Sequence, residues 1–451
     1  MTGPLSSGEA ASHAGRPATR AESEVVDLCR DLLRIDTTNT GDPATCAGER
    51  AAAEYVAASL DEVGIEATVL ESAPGRANVV ARIAGADAGR DALLVHGHLD
   101  VVPAEGSEWS VPPFAGEIRD GYLWGRGAID MKDFDAMVLA VVRQWRRDGV
   151  VPPRDIVLAF TADEEAGSTY GARFLAERHT ELFDGCTEAV GEVGGYSYTV
   201  HEDLRLYLIQ TAEKGIHWLR LHARGRPGHG SFVHDDNAVT ALAEAVARVG
   251  RHRFPTVMTP TVREFLQHAA EALGVEADPE APETVIGKLG PIANIVGATT
   301  RNTANPTRLA AGYKDNVIPS RASATVDCRT LPGQADLFDD QLREVVGPDI
   351  EIEYVQRQPA LETTFDGDLV AAMSAALLAE DPGARAVPYM LSGGTDAKAF
   401  SALGVRCFGF APLRLPPDLN FASLFHGIDE RVPVDGLRFG ARVLDRFLRN
   451  C

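Results

Sequence analysis

Cysteine is scarce in this sequence and unpatterned. Six residues, Cys29, Cys46, Cys186, Cys328, Cys407 and Cys451, are scattered, and none are paired at metal or redox spacing. This excludes a disulfide framework and matches reduced cytosolic thiols. Basic charge is also in deficit: 43 Lys and Arg stand against 65 Asp and Glu, a formal net charge of -22. Polyanion binding needs clustered cations, so no nucleic acid partner is expected. No stretch reaches the ~18 uninterrupted apolar residues of a membrane helix. The first twenty residues, rich in Ala, Ser, Gly and Thr, contain no apolar core of signal-peptide length. A cytoplasmic protein without a membrane partner is expected, with residues 1 to 20 as a disordered tail. Neither G-x-S-x-G nor H-E-x-x-H occurs, and no cysteine stands beside a plausible histidine partner. Serine, thiol and single-zinc helical hydrolase chemistry therefore find no support.

The chain does contain enough to build two cores. Single cores stop growing near ~250–300 residues, and 451 residues with 45% hydrophobic content predict two domains. Val25, Val26, Leu28, Leu32 and Leu33 recur at helical spacing over Glu22 to Ile35. A second helix is predicted over 48 to 63, then strands at 66 to 70, 77 to 83 and 92 to 96. Helices near 133 to 147 and 168 to 178 alternate with strands at 155 to 160 and 187 to 191. Such alternation predicts an α/β three-layer sandwich with a mixed, largely parallel sheet. From 214 to 332 the texture changes to solvent-faced strands with a helix at 236 to 249, a smaller α+β insert. Residues 251 to 306, with six prolines and a helical stretch at 261 to 273, read as an elaboration of that insert. The catalytic domain is thus expected over 21 to 213 and 333 to 451.

Chemistry concentrates where strands end. ALLVHGHLDVVP (92 to 103) is an apolar strand ending in His96, His98 and Asp100, which period two places on one face. A ligating histidine is commonly braced by a carboxylate on its other nitrogen, which suits His98 with Asp100 behind it; His96 is the rival ligand. GRGAIDMKD sets Asp130 between a Gly-rich turn and a helix, where a helix cap is the competing explanation. TADEEAGS places Glu164 and Glu165 at the carboxyl end of a strand, where open α/β sheets gather ligands. Adjacent acids point apart, so one can hold metal while the other faces an activated water. Glu192 in VGEVGG and His426 in HGIDE complete a mix of oxygen and imidazole donors that zinc accepts.

HGHLDVVP, GRGAIDMKD, TADEEAGS, GEVGG, GHGS, NVIP, DCRTLPG, GGTDA and HGIDE occur in this order from about residue 22 onward. The series resembles the zinc exopeptidase and deacylase family that contains glutamate carboxypeptidase, acetylornithine deacetylase, succinyl-diaminopimelate desuccinylase and aminoacylase. The resemblance implies two Zn2+ per chain, with Co2+ or Mn2+ as substitutes. His98, Asp130 and Glu192 would hold one ion; Asp130, Glu165 and His426 would hold the other. Glu164 would be the general base, Asp100 would support catalysis, and the peptide after Asp130 would be cis. The insert would be a lid that pairs two subunits, with His229 of GHGS steadying the oxyanion. Asn316 and Arg329 would grip the substrate, and Gly393, Gly394 and Thr395 would line its pocket. The substrate would be a small peptide or N-acyl amino acid, with an N-carbamoyl compound as alternative. GEVGG departs from the family pattern, so Glu202 and Glu188 stand as fallbacks for Glu192.

Overall fold

The computed structural model describes residues 19–201 and 204–451. The first helix begins earlier than apolar spacing predicts, at Arg20, because Thr19 and Glu22 form a reciprocal capping box. The rest of the expected tail lies outside the described residues, as does Glu202.

A ten-stranded sheet forms the middle layer. Its centre is parallel: Ala92–His98 lies between Ile156–Thr161 and Cys186–Gly191, and Arg406–Gly409 continues in parallel beside the latter. The 67–73 and 76–83 hairpin closes one side in antiparallel fashion. Period two sorts the central side chains between two faces. Leu93, Val95, Ile156, Leu158 and Phe160 pack into the core beneath the long helices Arg20–Leu33, Lys132–Asp148 and Val434–Leu448. Ala92, Leu94, Val157 and Ala159 pack against Ala172, Leu175 and Phe400 on the other face. Both faces are covered, so these strands read as apolar runs without polar alternation. The helix Lys132–Asp148 is buried from Lys132 through Trp145. Lys132 Nζ donates to the Leu32 and Ile35 carbonyls at 3.1 and 2.9 Å, closing the end of the first helix.

The smaller domain is a four-stranded antiparallel sheet in the order Thr303–Ala311, Arg321–Thr330, Gly215–Arg224, Glu351–Gln358. Two expectations are corrected here. The insert does not end at 332: after LPG the chain forms Ala335–Val346, whose Phe338 and Leu342 enter the small core. It then returns as the edge strand Glu351–Gln358. The Pro-Gly pair is a turn within the domain, and the alternation in EIEYVQRQ marks a half-buried strand. Nor does the middle of the 251 to 306 elaboration enlarge the lid, although its two ends, at Phe254 and Thr303–Ala311, stay in the small domain. Val262, Phe265, Leu266 and Ala269 of Pro260–Leu273 belong to the main core, where the helix packs on Arg385–Leu391 and Leu204–Glu213. Its apolar face found the larger sheet, a choice that sequence position cannot reveal. All six cysteines are free. Among the described residues no helix is long and apolar enough to cross a membrane.

Candidate metal centre

The site assembles at the carboxyl ends of the parallel strands, as expected for an open α/β sheet. His98 ends its strand, the Glu164–Ala166 turn follows Ile156–Thr161, and Glu192 follows Cys186–Gly191. Asp130 precedes Lys132–Asp148, and the Asp130–Met131 peptide is cis. His426 arrives from a distant loop with a left-handed backbone, φ 56°, a conformation rare outside glycine and often kept at functional sites.

Asp130 stands between two histidines. Its Oδ1 lies 3.2 Å from His98 Nε2 and its Oδ2 lies 3.2 Å from His426 Nε2. Glu192 Oε2 is 3.5 Å from His98 Nε2, and Glu165 Oε2 is 3.2 Å from His426 Nε2. A charged N–H···O contact would close to ~2.7–2.9 Å. Zinc bonds of ~2.0–2.1 Å at tetrahedral angles instead separate neighbouring ligand atoms by about 3.3 Å, and the four distances match that edge. Glu165 Oε1 is buried without a hydrogen-bond partner among the described residues. The donor set therefore fits divalent cations. Glu164 falls with His98 and Glu192, its carboxylate within 4.8 Å of both, while Glu165 groups with His98 and Asp130. The adjacent acids thus face different sides of the cluster.

Burial and close-set charge together shift the titrating groups of the cluster. Burial, then the neighbouring Glu192 charge, drives Glu164 well above the usual carboxyl range. Burial raises Glu192 to about 8 against the pull of His98, and burial with the Asp130 charge raises Glu165. Burial also opposes ionisation of Asp130, yet its bonds to His426 and His98 prevail and hold it low. The bonds to Asp130 and Glu165 raise His426 to about 10. Cations relieve this repulsion directly.

The expected role of Asp100 is corrected. His98 Nδ1 lies 3.0 Å from the Asp100 backbone carbonyl and 3.6 Å from its carboxylate. A carbonyl only accepts, so His98 carries its proton on Nδ1 and presents Nε2 to the acids. The carboxylate does something else: Oδ1 accepts from Glu164 N at 3.0 Å, and Oδ2 accepts from Glu165 N at 3.1 Å and Asn39 Nδ2 at 2.8 Å. It holds the Glu164–Glu165 turn. His96, the rival ligand, stays outside the cluster, buried with its ring 5.0 Å from that of Phe400. Glu188 is engaged by Arg154 at 3.0 Å.

Several supports escaped the sequence reading. Arg76 binds Glu49 at 2.8 Å and Asp163 at 2.9 Å, and Asp163, at φ 67°, also accepts from Asn39 and Tyr170 N. Arg126 binds Glu430 at 2.6 Å, while Glu430 accepts from Ile129 N at 2.8 Å, fastening the Asp130 turn to the His426 loop. Arg126 and Glu430 lie within recognised motifs; Arg76 and Glu49 lie in none. Asp396 of GGTDA is buried and accepts from Thr161 Oγ1 at 2.6 Å.

The remaining predicted residues divide. His229 and Asn316 meet on the ribbon formed by Gly228–His229 and Val317–Ile318, where Gly230 N donates to the Asn316 carbonyl at 2.9 Å. His229 is exposed and 2.8 Å from Ser231 Oγ. The Arg329 fork is occupied by Asp327, at 2.7 and 3.1 Å. Thr395 turns inward, its hydroxyl donating to Glu213 at 2.9 Å, while Gly393 and Gly394 continue the loop before it. Among the described residues, none of these makes a hydrogen bond or ion pair to the five clustered residues.

The family model described as Peptidase family M20/M25/M40 matches residues 94–450. An N-fatty-acyl-amino acid synthase/hydrolase of Xenopus tropicalis is 24% identical over 468 residues, covering 96% of this chain and 87% of its own. Aminoacylase-1 of Sus scrofa is 28% identical over 419 residues, 91% of each chain. An M20 family metallo-carboxypeptidase from Sulfolobus solfataricus shares the fold with a TM-score of 0.74 and 20% identity, covering 95% of this chain and 99% of that one.

Proposed function

Because this chain belongs to peptidase family M20/M25/M40 and is a metallohydrolase of carbon–nitrogen bonds, we propose that it hydrolyses the amide bond of N-acyl amino acids or small peptides. It does so with two Zn2+ per chain, for which Co2+ or Mn2+ substitutes. The observation that carries this reading is Asp130, each of whose oxygens faces a different histidine at 3.2 Å. His98 and Glu192 complete one site, and Glu165 and His426 the other. Sequence likeness over most of the chain to an aminoacylase and to an N-acyl-amino acid hydrolase favours an acyl amino acid.

A divalent ion held by these residues would supply Lewis acidity at the scissile carbonyl and would lower the pKa of water from ~15.7 towards ~7. Glu164, which neither set needs, would accept a proton from the attacking water as its oxygen bonds to the carbonyl carbon, and would pass that proton to the amine nitrogen as the C–N bond breaks. His229 and Asn316 donate to the carbonyl oxygen as charge develops there. Arg329 exchanges Asp327 for the substrate carboxylate, which its planar fork matches. The backbone at Gly393 and Gly394 lines the pocket, and the small domain pairs two subunits. A panel of N-acyl amino acids and dipeptides, followed by amine release, tests the reading. Dialysis against chelator should abolish turnover, and zinc or cobalt should restore it. Full activity in metal-stripped enzyme would refute it.

A further inference from the structure

Behind the carboxylate cluster lies a small chamber of about 10 Å³, lined among others by His96, Glu192, Gln210, Glu213 and Thr395. That is room for one water molecule and no more. Three buried polar atoms of its wall have no hydrogen-bond partner among the described residues: His96 Nε2, Glu192 Oε1 and Gln210 Oε1. Two glycines permit the arrangement. A side chain at Gly191 would overlap the His96 ring, and one at Gly409 would overlap both Gln210 Oε1 and the Glu192 carbonyl. Both polar tips therefore press on backbone flanking Glu192. The orientation of the Gln210 amide is fixed, because its Nε2 donates to Glu213 Oε2 at 3.3 Å. Glu213 in turn accepts from Lys398 Nζ at 2.7 Å and Thr395 Oγ1 at 2.9 Å. Gln210 thus turns an acceptor towards the chamber, and Glu192 supplies a second.

We propose that the chamber holds one ordered water that ties Glu192 to His96 and Gln210, making both of them positioning residues for a metal ligand. The balance is complete with one molecule. The water donates one hydrogen to Glu192 Oε1 and the other to Gln210 Oε1, and accepts from His96 Nε2–H. His96 then carries its proton on the nitrogen opposite to that of His98. Glu192 is left with Oε2 alone towards His98 and binds a cation through that oxygen only. The proposal rests on the metal reading above, but the two fail differently.

The test is a crystal structure of the metal-loaded enzyme at a resolution that shows waters, with two near-isosteric variants, His96→Phe and Gln210→Met. Metal affinity is read by competition with a chromogenic chelator. The expected structure has one water within 2.7–3.2 Å of all three atoms and Glu192 bound through one oxygen. Each variant should lose about 10–100-fold in affinity for one metal. The double variant should lose no more than the worse single, since both act through one water. A dry chamber, Glu192 chelating through both oxygens, unchanged affinity, or additive losses would each overturn the proposal. Should His96→Phe fail to fold, the crystal structure and Gln210→Met still decide. A filled chamber in a chain that binds no metal would instead overturn the metal reading and with it the positioning role.

Discussion

Replacing Asp100 with asparagine separates the two roles the residue could have. The amide is isosteric, but one of its two ends is a donor. Oδ1 receives Glu164 N, and Oδ2 receives Glu165 N and Asn39 Nδ2. The less costly orientation keeps oxygen at the Oδ2 position and turns NH2 towards Glu164 N. One hydrogen bond to a charged acceptor is then lost, about 1.5–3 kcal/mol, and a backbone N–H faces another donor. Passed in full to the transition state, about 3 kcal/mol is roughly two orders of magnitude in kcat/KM. The His98 contact survives, because it is made to the backbone carbonyl of residue 100. Asp100→Asn should therefore keep the metal on the His98 side while kcat/KM falls about 100-fold. Amine release measures the rate, and graded chelator competition measures each metal. Loss of the His98-side metal, or kcat/KM within twofold of wild type, would refute the reasoning.

Glu164→Gln should retain metal and lose about 10²–10⁴ in kcat, whereas Glu165→Gln should lose metal; equal metal loss in both removes the division of labour. Arg126→Met leaves Glu430 buried without its cation and should cost about 3–5 kcal/mol, read by denaturant unfolding, and unchanged stability contradicts it. Phe265→Ala should cost about 3–5 kcal/mol in the transition that unfolds the main domain. A shift confined to the small domain would return the 260–273 helix to the lid. Arg329→Lys should raise KM by about tenfold for substrates with a free carboxylate, since a lysine offers no planar fork, and leave amidated analogues unaffected; equal effects on both rule out carboxylate recognition.

Much of the site was legible because its residues cluster in short motifs at strand ends, where local pattern and chemistry coincide. His98, Glu164, Glu165 and Glu192 stand at strand ends, Asp130 at a turn before a helix and His426 in a loop, and the resemblance carried by their motifs joined them into one centre. The supports could not be found this way. Arg76 and Glu49 are separated in sequence from Asp163, which they hold, and a buried ion pair leaves no periodic signal in any one segment. Asp100 shows the limit within a motif: spacing placed it behind His98, but the backbone turn there offers the ring a carbonyl and frees the carboxylate for the next loop.

The sequence by itself determined the alternation of helix and strand and the motifs that carry the candidate acids and imidazoles, because these follow from local periodicity and residue chemistry. Only the tertiary structure decided which sheet each apolar face would join. The apolar face of Pro260–Leu273 and the alternation of Glu351–Gln358 do not by themselves name the sheet they join. One lies on the main sheet and the other edges the small one, since burial depends on which complementary surface the folded chain brings within reach.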